Sequence, residues 1–360
     1  MTETAESEEG RARVARAARE FESEVVYLNT ASLGLPPART TAVLQAVLED
    51  WRHGRSNPMD YDIPLEEARG MYAAMVGVPS SGVAVGSQVS VLAGLVAANL
   101  PDGSEVLTAE GDFTSIVFPF LAQQRRGVTV REVPLDRIAE SVTRRTTLVS
   151  VSAVQSSSGQ VVDLDALGSA CADAGARVLL DTTQSTGWLP VDASRFAYTV
   201  GGGYKWLLSP RGTAFFTVQE EHMDELIPHT ASWYAGENPW TSIYGSPLRL
   251  AAGARRFDVS PAWHSWVGAA TSMALLAEVG GDALHRHALA LSDRFCAAVG
   301  IPPAGSAIVS LPVDDATADA LRDAGIAAAM RAGRLRLAFH VSTTEDDVDA
   351  AAEVIRPHIV

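Results

Sequence analysis

Short apolar runs and longer amphipathic stretches alternate along most of this chain. Residues 25–28, 105–108, 147–152, 177–181 and 212–218 read as strands rich in Val, Leu and Phe. Between them, Ala38–Arg52, residues 65–75 and 91–99, and the stretch that closes at Gly175 carry helical spacing. Strand and helix in repetition predict an α/β fold built on a parallel sheet. The pattern shifts after Val218. Residues 233–244 are aromatic and irregular, and 266–298 then read as helical. A strand follows at 308–312, a helix at 317–324, and residues 334–340 alternate in the manner of an edge strand. Thr343-Thr-Glu-Asp-Asp347 opens a capped helix. The pattern divides the chain into a short helical arm behind a disordered tip (1–24), a large domain (25–262) and a small C-terminal α+β domain (263–360).

Composition narrows the classes of function. A chain of 360 residues with 47% hydrophobic content is long enough for one large core and a smaller one. The net charge of −15 argues against a nucleic-acid footprint. No window reaches the roughly 18 uncharged apolar residues of a membrane span. The first fifteen residues are acidic, then Arg-rich, and contain no apolar core of a signal peptide. Cys171 and Cys296 are the only cysteines, so no disulfide framework or Cys-based metal site is implied, and a reducing cytoplasm fits.

One residue stands apart. Lys205 is the only lysine, and every other residue in the Lys+Arg count of 28 is arginine. It follows Gly201-Gly-Gly203 and lies between Tyr204 and Trp206. Three glycines let the backbone pass close to something bulky. Aromatic flanks desolvate the ammonium and lower its pKa, which suits Schiff-base chemistry. The same stretch also reads as a plain surface turn before a strand. A second stretch, Arg177-Val-Leu-Leu-Asp181-Thr-Thr-Gln184, reads as a buried strand ending in a carboxylate, 24 residues before Lys205.

Asp181-x-x-Gln184, then Gly202-Gly-Tyr204-Lys205-Trp206, then Ser209-Pro-Arg-Gly212 resemble the pyridoxal 5'-phosphate (PLP) enzymes of fold type I. More closely they resemble the class V aminotransferase family, which includes cysteine desulfurases, isopenicillin N epimerase-like proteins, kynureninases and carbon–sulfur lyases. The family pattern has Ser where this chain has Gly202 and His where it has Tyr204. The resemblance runs from about Tyr27 to the C-terminus. It implies a large domain with a mostly parallel seven-stranded sheet between helices, an N-terminal arm packed on the small domain, and a cytoplasmic homodimer with active sites at the interface. It further implies PLP as cofactor and a small amino-acid substrate.

The same resemblance assigns roles residue by residue. Lys205 would carry the cofactor and act as the base, beside Tyr204. Asp181 would keep the pyridine nitrogen protonated, so that the ring accepts electrons. Gln184 and Ser156 would lie near O3′. Gly86-Ser87-Gln88, a small-residue turn that opens an apolar helix, would hold the phosphate through free amides and the helix dipole. Phe113 would stack on the pyridine face, as in the isopenicillin N epimerase-type subgroup. Ser260, in Arg255-Arg-Phe-Asp-Val-Ser260-Pro, would reach the phosphate of the partner subunit. Asn29 and Ala31 would touch substrate at the mouth. Arg336 would clamp the substrate α-carboxylate, since a guanidinium suits bidentate carboxylate binding. Arg334 is the rival on the same strand face.

Reaction type is the finer question. Persulfide-forming desulfuration needs a cysteine on a mobile loop, and both cysteines fall in helical stretches. Epimerisation needs a second base opposite Lys205, where Phe113 supplies none. Transamination or decarboxylating deamination needs Lys205 as a proton shuttle. β-Elimination of a sulfur leaving group needs only Lys205 as base and a good leaving group. The 233–244 insert and the Arg-Arg-Phe-Asp-Val-Ser-Pro run resemble actinobacterial carbon–sulfur lyases such as hercynylcysteine sulfoxide lyase. Elimination from an S-substituted cysteine or its sulfoxide is therefore the leading expectation. A non-catalytic scaffold of the same fold is the reading from another class, and retention of Lys205, Asp181 and Arg336 speaks against it.

Overall fold

The computed structural model describes residues 3–360; the expected disordered tip falls partly on residues 1–2, outside the described residues. In chain order the helices are α1 (Glu3–Ala18), α2 (Ala38–Arg52), α3 (Asp62–Met75), α4 (Val89–Asn99), α5 (Phe118–Leu121), α6 (Leu164–Ala174), α7 (Trp263–Val279), α8 (Gly281–Val299), α9 (Thr317–Asp323) and α10 (Glu345–Ile355). The strands are β1 (Val26–Tyr27), β2 (Val83–Gly86), β3 (Glu105–Ala109), β4 (Thr129–Val133), β5 (Thr146–Ser152), β6 (Arg177–Asp181), β7 (Tyr198–Gly202), β8 (Ala214–Val218), β9 (Ile308–Leu311), β10 (Ile326–Ala327), β11 (Ala329–Arg331) and β12 (Arg334–Ala338).

Seven strands form the main sheet in the order β2-β8-β7-β6-β5-β3-β4. All its pairings are parallel except those of β8, which runs antiparallel to β2 and β7. The expected mostly parallel, seven-stranded α/β sheet is therefore present. Strands β2, β7 and β8 are buried along their whole lengths, and β6 beyond its first residue, as covering helices on both faces require. One face packs on α4, through Leu92, Ala93 and Val96, and the other on α3 and α7, through Tyr72, Phe215 and Met273. The ring of Tyr72 stacks on that of Phe215 with centroids 4.1 Å apart.

A smaller antiparallel sheet has the order β11-β12-β9 and packs on α8 and α10 through Phe295, Leu337 and Val348. Two expectations change here. The alternating 334–340 stretch is the central strand of this sheet, not an edge. It pairs on both sides, and Ala338 also bridges to Asn29. The helical stretch of 266–298 is two helices, because Gly280 takes φ +88 and ends α7. The first of these packs on α2 and α3 beside the main sheet, so that helical layer runs past the boundary expected at residue 262.

An exposed capping box and a buried ion pair fix two further segments. Thr344 and Asp347 form a reciprocal capping box that starts α10. Asp258 is fully buried and accepts from Arg69 Nη2 at 2.7 Å and from the Val85 amide at 2.8 Å, tying the 254–260 segment to β2. Removing one partner of a buried pair leaves the other charge uncompensated. Asp258→Ala is expected to lower the unfolding free energy by about 3–5 kcal/mol in urea titrations. A loss under about 1 kcal/mol would show that Glu66, which also holds Arg69, suffices alone.

Candidate active site

The C-terminal ends of the parallel strands converge on one cavity. Its lining includes Ser87, Gln88, Phe113, Ser156, Asp181, Gln184, Tyr204, Lys205 and Arg211. Eight of the expected site residues are thus brought together from five separate segments. Asn29, Ala31, Arg336 and Ser260 are not among those lining residues.

Lys205 sits on the turn between β7 and β8. It is only 6% exposed, and its Nζ lies 5.2 Å from the ring centroid of Phe113 and 5.5 Å from that of Tyr204. Sequence adjacency to Trp206 misled in one respect. That indole turns away, packs on Trp188 and His340, and donates to Gln184 Oε1 at 2.7 Å. Burial pulls the Lys205 amine down to about 8, with Asp181 opposing and Arg336, Arg331 and Arg211 reinforcing the shift. Tyr204 stands where the family pattern has His, and burial raises its phenol, so it stays neutral near pH 7.

Asp181 ends β6, buried to 4% exposure. Burial pushes its carboxyl up to about 6, against hydrogen bonds from Thr183. The Thr183 amide donates to Asp181 Oδ1 at 2.8 Å, while the Thr183 hydroxyl accepts from the Gly202 amide at 2.9 Å. One threonine therefore ties the carboxylate strand to the lysine strand. Gln184 is clamped: its Nε2 donates to the Ala31 carbonyl at 3.0 Å, and its Oε1 is held by Trp206. Ala31 meets the site through this carbonyl. Asn29 holds the same entry segment by its bridge to Ala338.

The sequence did not flag Asp112. This buried carboxylate accepts from the Phe113 and Ser152 amides, the Ser152 hydroxyl and Gln155 Nε2, at 2.6–3.0 Å. It fixes the turn that carries the Phe113 ring. Ser32 was also missed, and it accepts from Arg336 Nη2 at 2.6 Å. Arg336 is 3% exposed, whereas Arg334 is exposed and turns to Ser310. Ser260 is exposed on the segment beyond Asp258, outside the cavity of its own chain.

The donor set fits PLP. The first-turn amides of α4, at Val89 and Ser90, have no acceptor within the helix and meet the cavity, as a phosphate would need. Asp181 supplies a buried carboxylate for a pyridinium, the Phe113 and Tyr204 rings supply flat walls, and Lys205 supplies the amine. Fold and cavity together define a PLP-dependent enzyme of fold type I. The chain belongs to the class V aminotransferase family: the family profile described as "Aminotransferase class-V" matches residues 43–300. PLP is the cofactor that membership assigns. An uncharacterized aminotransferase of Bacillus subtilis (strain 168) is 26% identical over 81% of this chain and 82% of its own length. The kynureninase of Deinococcus radiodurans is 27% identical over 78% and 72%. Among solved structures, the cystine C–S lyase C-DES in complex with its product cysteine persulfide superposes with a TM-score of 0.83 at 20% identity, covering 92% of this chain and 97% of that one.

An amine at about 8 is free over a range where an ordinary lysine stays charged. Capture of added PLP by the cofactor-free protein, followed by absorbance, is expected to accelerate with pH through a midpoint near 8. Lys205→Ala should leave no borohydride-fixed cofactor, because no second side-chain amine exists. A midpoint above about 10 would mean that the amine is not desolvated.

Proposed function

We propose that this enzyme is a carbon–sulfur lyase that removes the sulfur substituent of an S-substituted cysteine, or its sulfoxide, by α,β-elimination. The observation that carries the reading is the count of bases. Among the residues lining the cavity, Lys205 is the one group poised to take a proton near neutral pH. Tyr204 remains a phenol, and Asp181 is reserved as a buried counter-charge.

When bound, PLP supplies the electron sink that makes the Cα proton removable. Lys205 takes that proton, the Cβ–S bond breaks with its electron pair leaving on sulfur, and hydrolysis of the remainder gives pyruvate and ammonia. Asp181 holds the charge that sustains the sink. The Phe113 and Tyr204 rings flank the amine, while Ser87, Gln88 and the α4 amides would hold the phosphate. Ser156 and Gln184, which line the same cavity, would lie near the cofactor's ring hydroxyl. Arg336 clamps the α-carboxylate, and Asn29 and Ala31 shape the mouth. The active unit in this reading is a homodimer, with Ser260 reaching the phosphate of the partner subunit.

Both cysteines support the choice against persulfide-forming desulfuration. Cys171 and Cys296 are buried in helices, and burial raises the Cys171 thiol to about 11, far from a nucleophilic thiolate. The relative named as an uncharacterized aminotransferase keeps transamination as the competing outcome.

Product analysis with a panel of S-substituted cysteines tests the reading. Pyruvate and a released thiol are the expected products, whereas the substrate's own keto acid would indicate transamination. Arg336→Ala should raise KM steeply and lower kcat, since a charged hydrogen bond of about 1.5–3 kcal/mol and the orientation it enforces are lost together. Arg334→Ala should do much less. An Arg336→Ala enzyme within about threefold of wild type in kcat/KM would remove the clamp from the scheme.

A further inference from the structure

The guanidinium of Arg336 is buried, yet the groups it touches are neutral. Its Nη1 donates to the Ser156 carbonyl at 2.5 Å and its Nη2 to the Ser32 hydroxyl at 2.6 Å. A second guanidinium converges on the same hydroxyl: Arg331 Nη2 lies 3.3 Å from Ser32 Oγ. Among the described residues neither arginine forms an ion pair with a carboxylate. Two cations that share one neutral acceptor repel each other, and a buried one without a counter-charge is unfavourable until an anion arrives. Burial, with Arg331 adding to it, lowers the Arg336 guanidinium to about 10.

The backbone makes the arrangement rigid. Strands β11 and β12 are joined by Ala332 and Gly333 alone, at φ +48 and +74. Two left-handed residues between paired strands are the tight hairpin turn that matches strand twist. The register then sets Arg331 opposite Arg334 and Ala329 opposite Arg336. Opposed residues share a sheet face, so Arg331 and Arg336 project the same way from levels two residues apart, roughly 7 Å. Arg336 occupies the inner level, at 3% exposure, and Arg331 is exposed at the outer one. Arg334 does not compete, because Ser310 holds it.

We propose that Arg331 is a specificity-determining residue that holds a second anionic group of the substrate. The site would then select S-substituted cysteines whose departing substituent itself carries a carboxylate. The inference rests on the reading of Arg336 as the α-carboxylate clamp. Arg336 holds the carbonyl of Ser156, which lines the cavity, and both guanidinium groups act on the Lys205 amine, so with one carboxylate at the inner guanidinium the outer one would be left for the departing group.

The test uses the PLP-loaded enzyme and two unreactive acids, glutarate and butyrate, with dissociation constants measured by calorimetry. Glutarate should bind about tenfold tighter than butyrate, the worth of one charged hydrogen bond. Arg331→Gln should erase that advantage while leaving butyrate within about twofold of wild type, which also shows that the variant is folded. Arg331→Lys should keep part of it. Equal binding of the two acids by wild type, an advantage that survives Arg331→Gln, or a parallel loss of butyrate would each overturn the proposal. In turnover, Arg331→Gln should raise KM for S-carboxymethylcysteine and not for S-ethylcysteine. Absence of pyruvate from both substrates defeats the lyase reading, and the binding measurement still decides the role of Arg331.

Discussion

A Cβ at position 34 would lie 2.1 Å from the Lys205 carbonyl oxygen, and one at position 187 would lie 2.6 Å from that of Trp206. No side chain fits at either place, so two distant loops press their backbones directly onto the turn that carries the amine. The Gly34 amide also donates to the Tyr204 carbonyl at 2.9 Å, and Gly203 leaves room for the Thr213 hydroxyl 2.5 Å from where its Cβ would stand. The turn itself holds Leu208 at φ +55, a buried leucine in a conformation its side chain disfavours. Neighbours on all sides keep it there. The position of Lys205 relative to Asp181, Phe113 and the α4 amides follows from this packing.

Electrostatics in the cavity follow in turn. With the amine fixed and nearly dry, its charge depends on what else is buried with it. Asp181 favours the ammonium, while burial and three arginines disfavour it, and the result is an amine close to its switching point at neutral pH. The carboxylate is raised by the same burial. Lysine and aspartate are thus two halves of one device, each poised near a change of charge, and Thr183 holds the strands that carry them in register.

Much of this was legible in the chain, because it is written locally. The apolar runs of β5, β6 and β8, the Gly-rich turn, the lone lysine and the Asp-x-x-Gln spacing are read within a few residues of themselves. What escaped depends on partners far away in sequence. Asp112 is an ordinary turn residue until β5 lies beside it. Asp258 reads as part of a loop until Arg69 is placed opposite. Alternation set Arg334 and Arg336 on one face but said nothing about which was buried, because that depends on Ser32, some three hundred residues earlier. The hairpin at Ala332-Gly333 did leave a signal, a two-residue turn ending in glycine between an apolar run and an alternating stretch, and it is the clue that would have brought Arg331 forward. The Gly280-Gly281 pair likewise marked the break between α7 and α8.

The absence of any other lysine has a meaning for a protein that handles a reactive aldehyde. Aldehydes condense with accessible amines without regard to place, and ordinary proteins present many such amines on their surfaces. Here the surface cations are guanidinium groups, which at neutral pH stay protonated and are poor nucleophiles. The one side-chain amine is reached only through the cavity. The cofactor and stray metabolite aldehydes therefore meet a side-chain surface that offers them no amine, so the cofactor has no competing side-chain position to occupy.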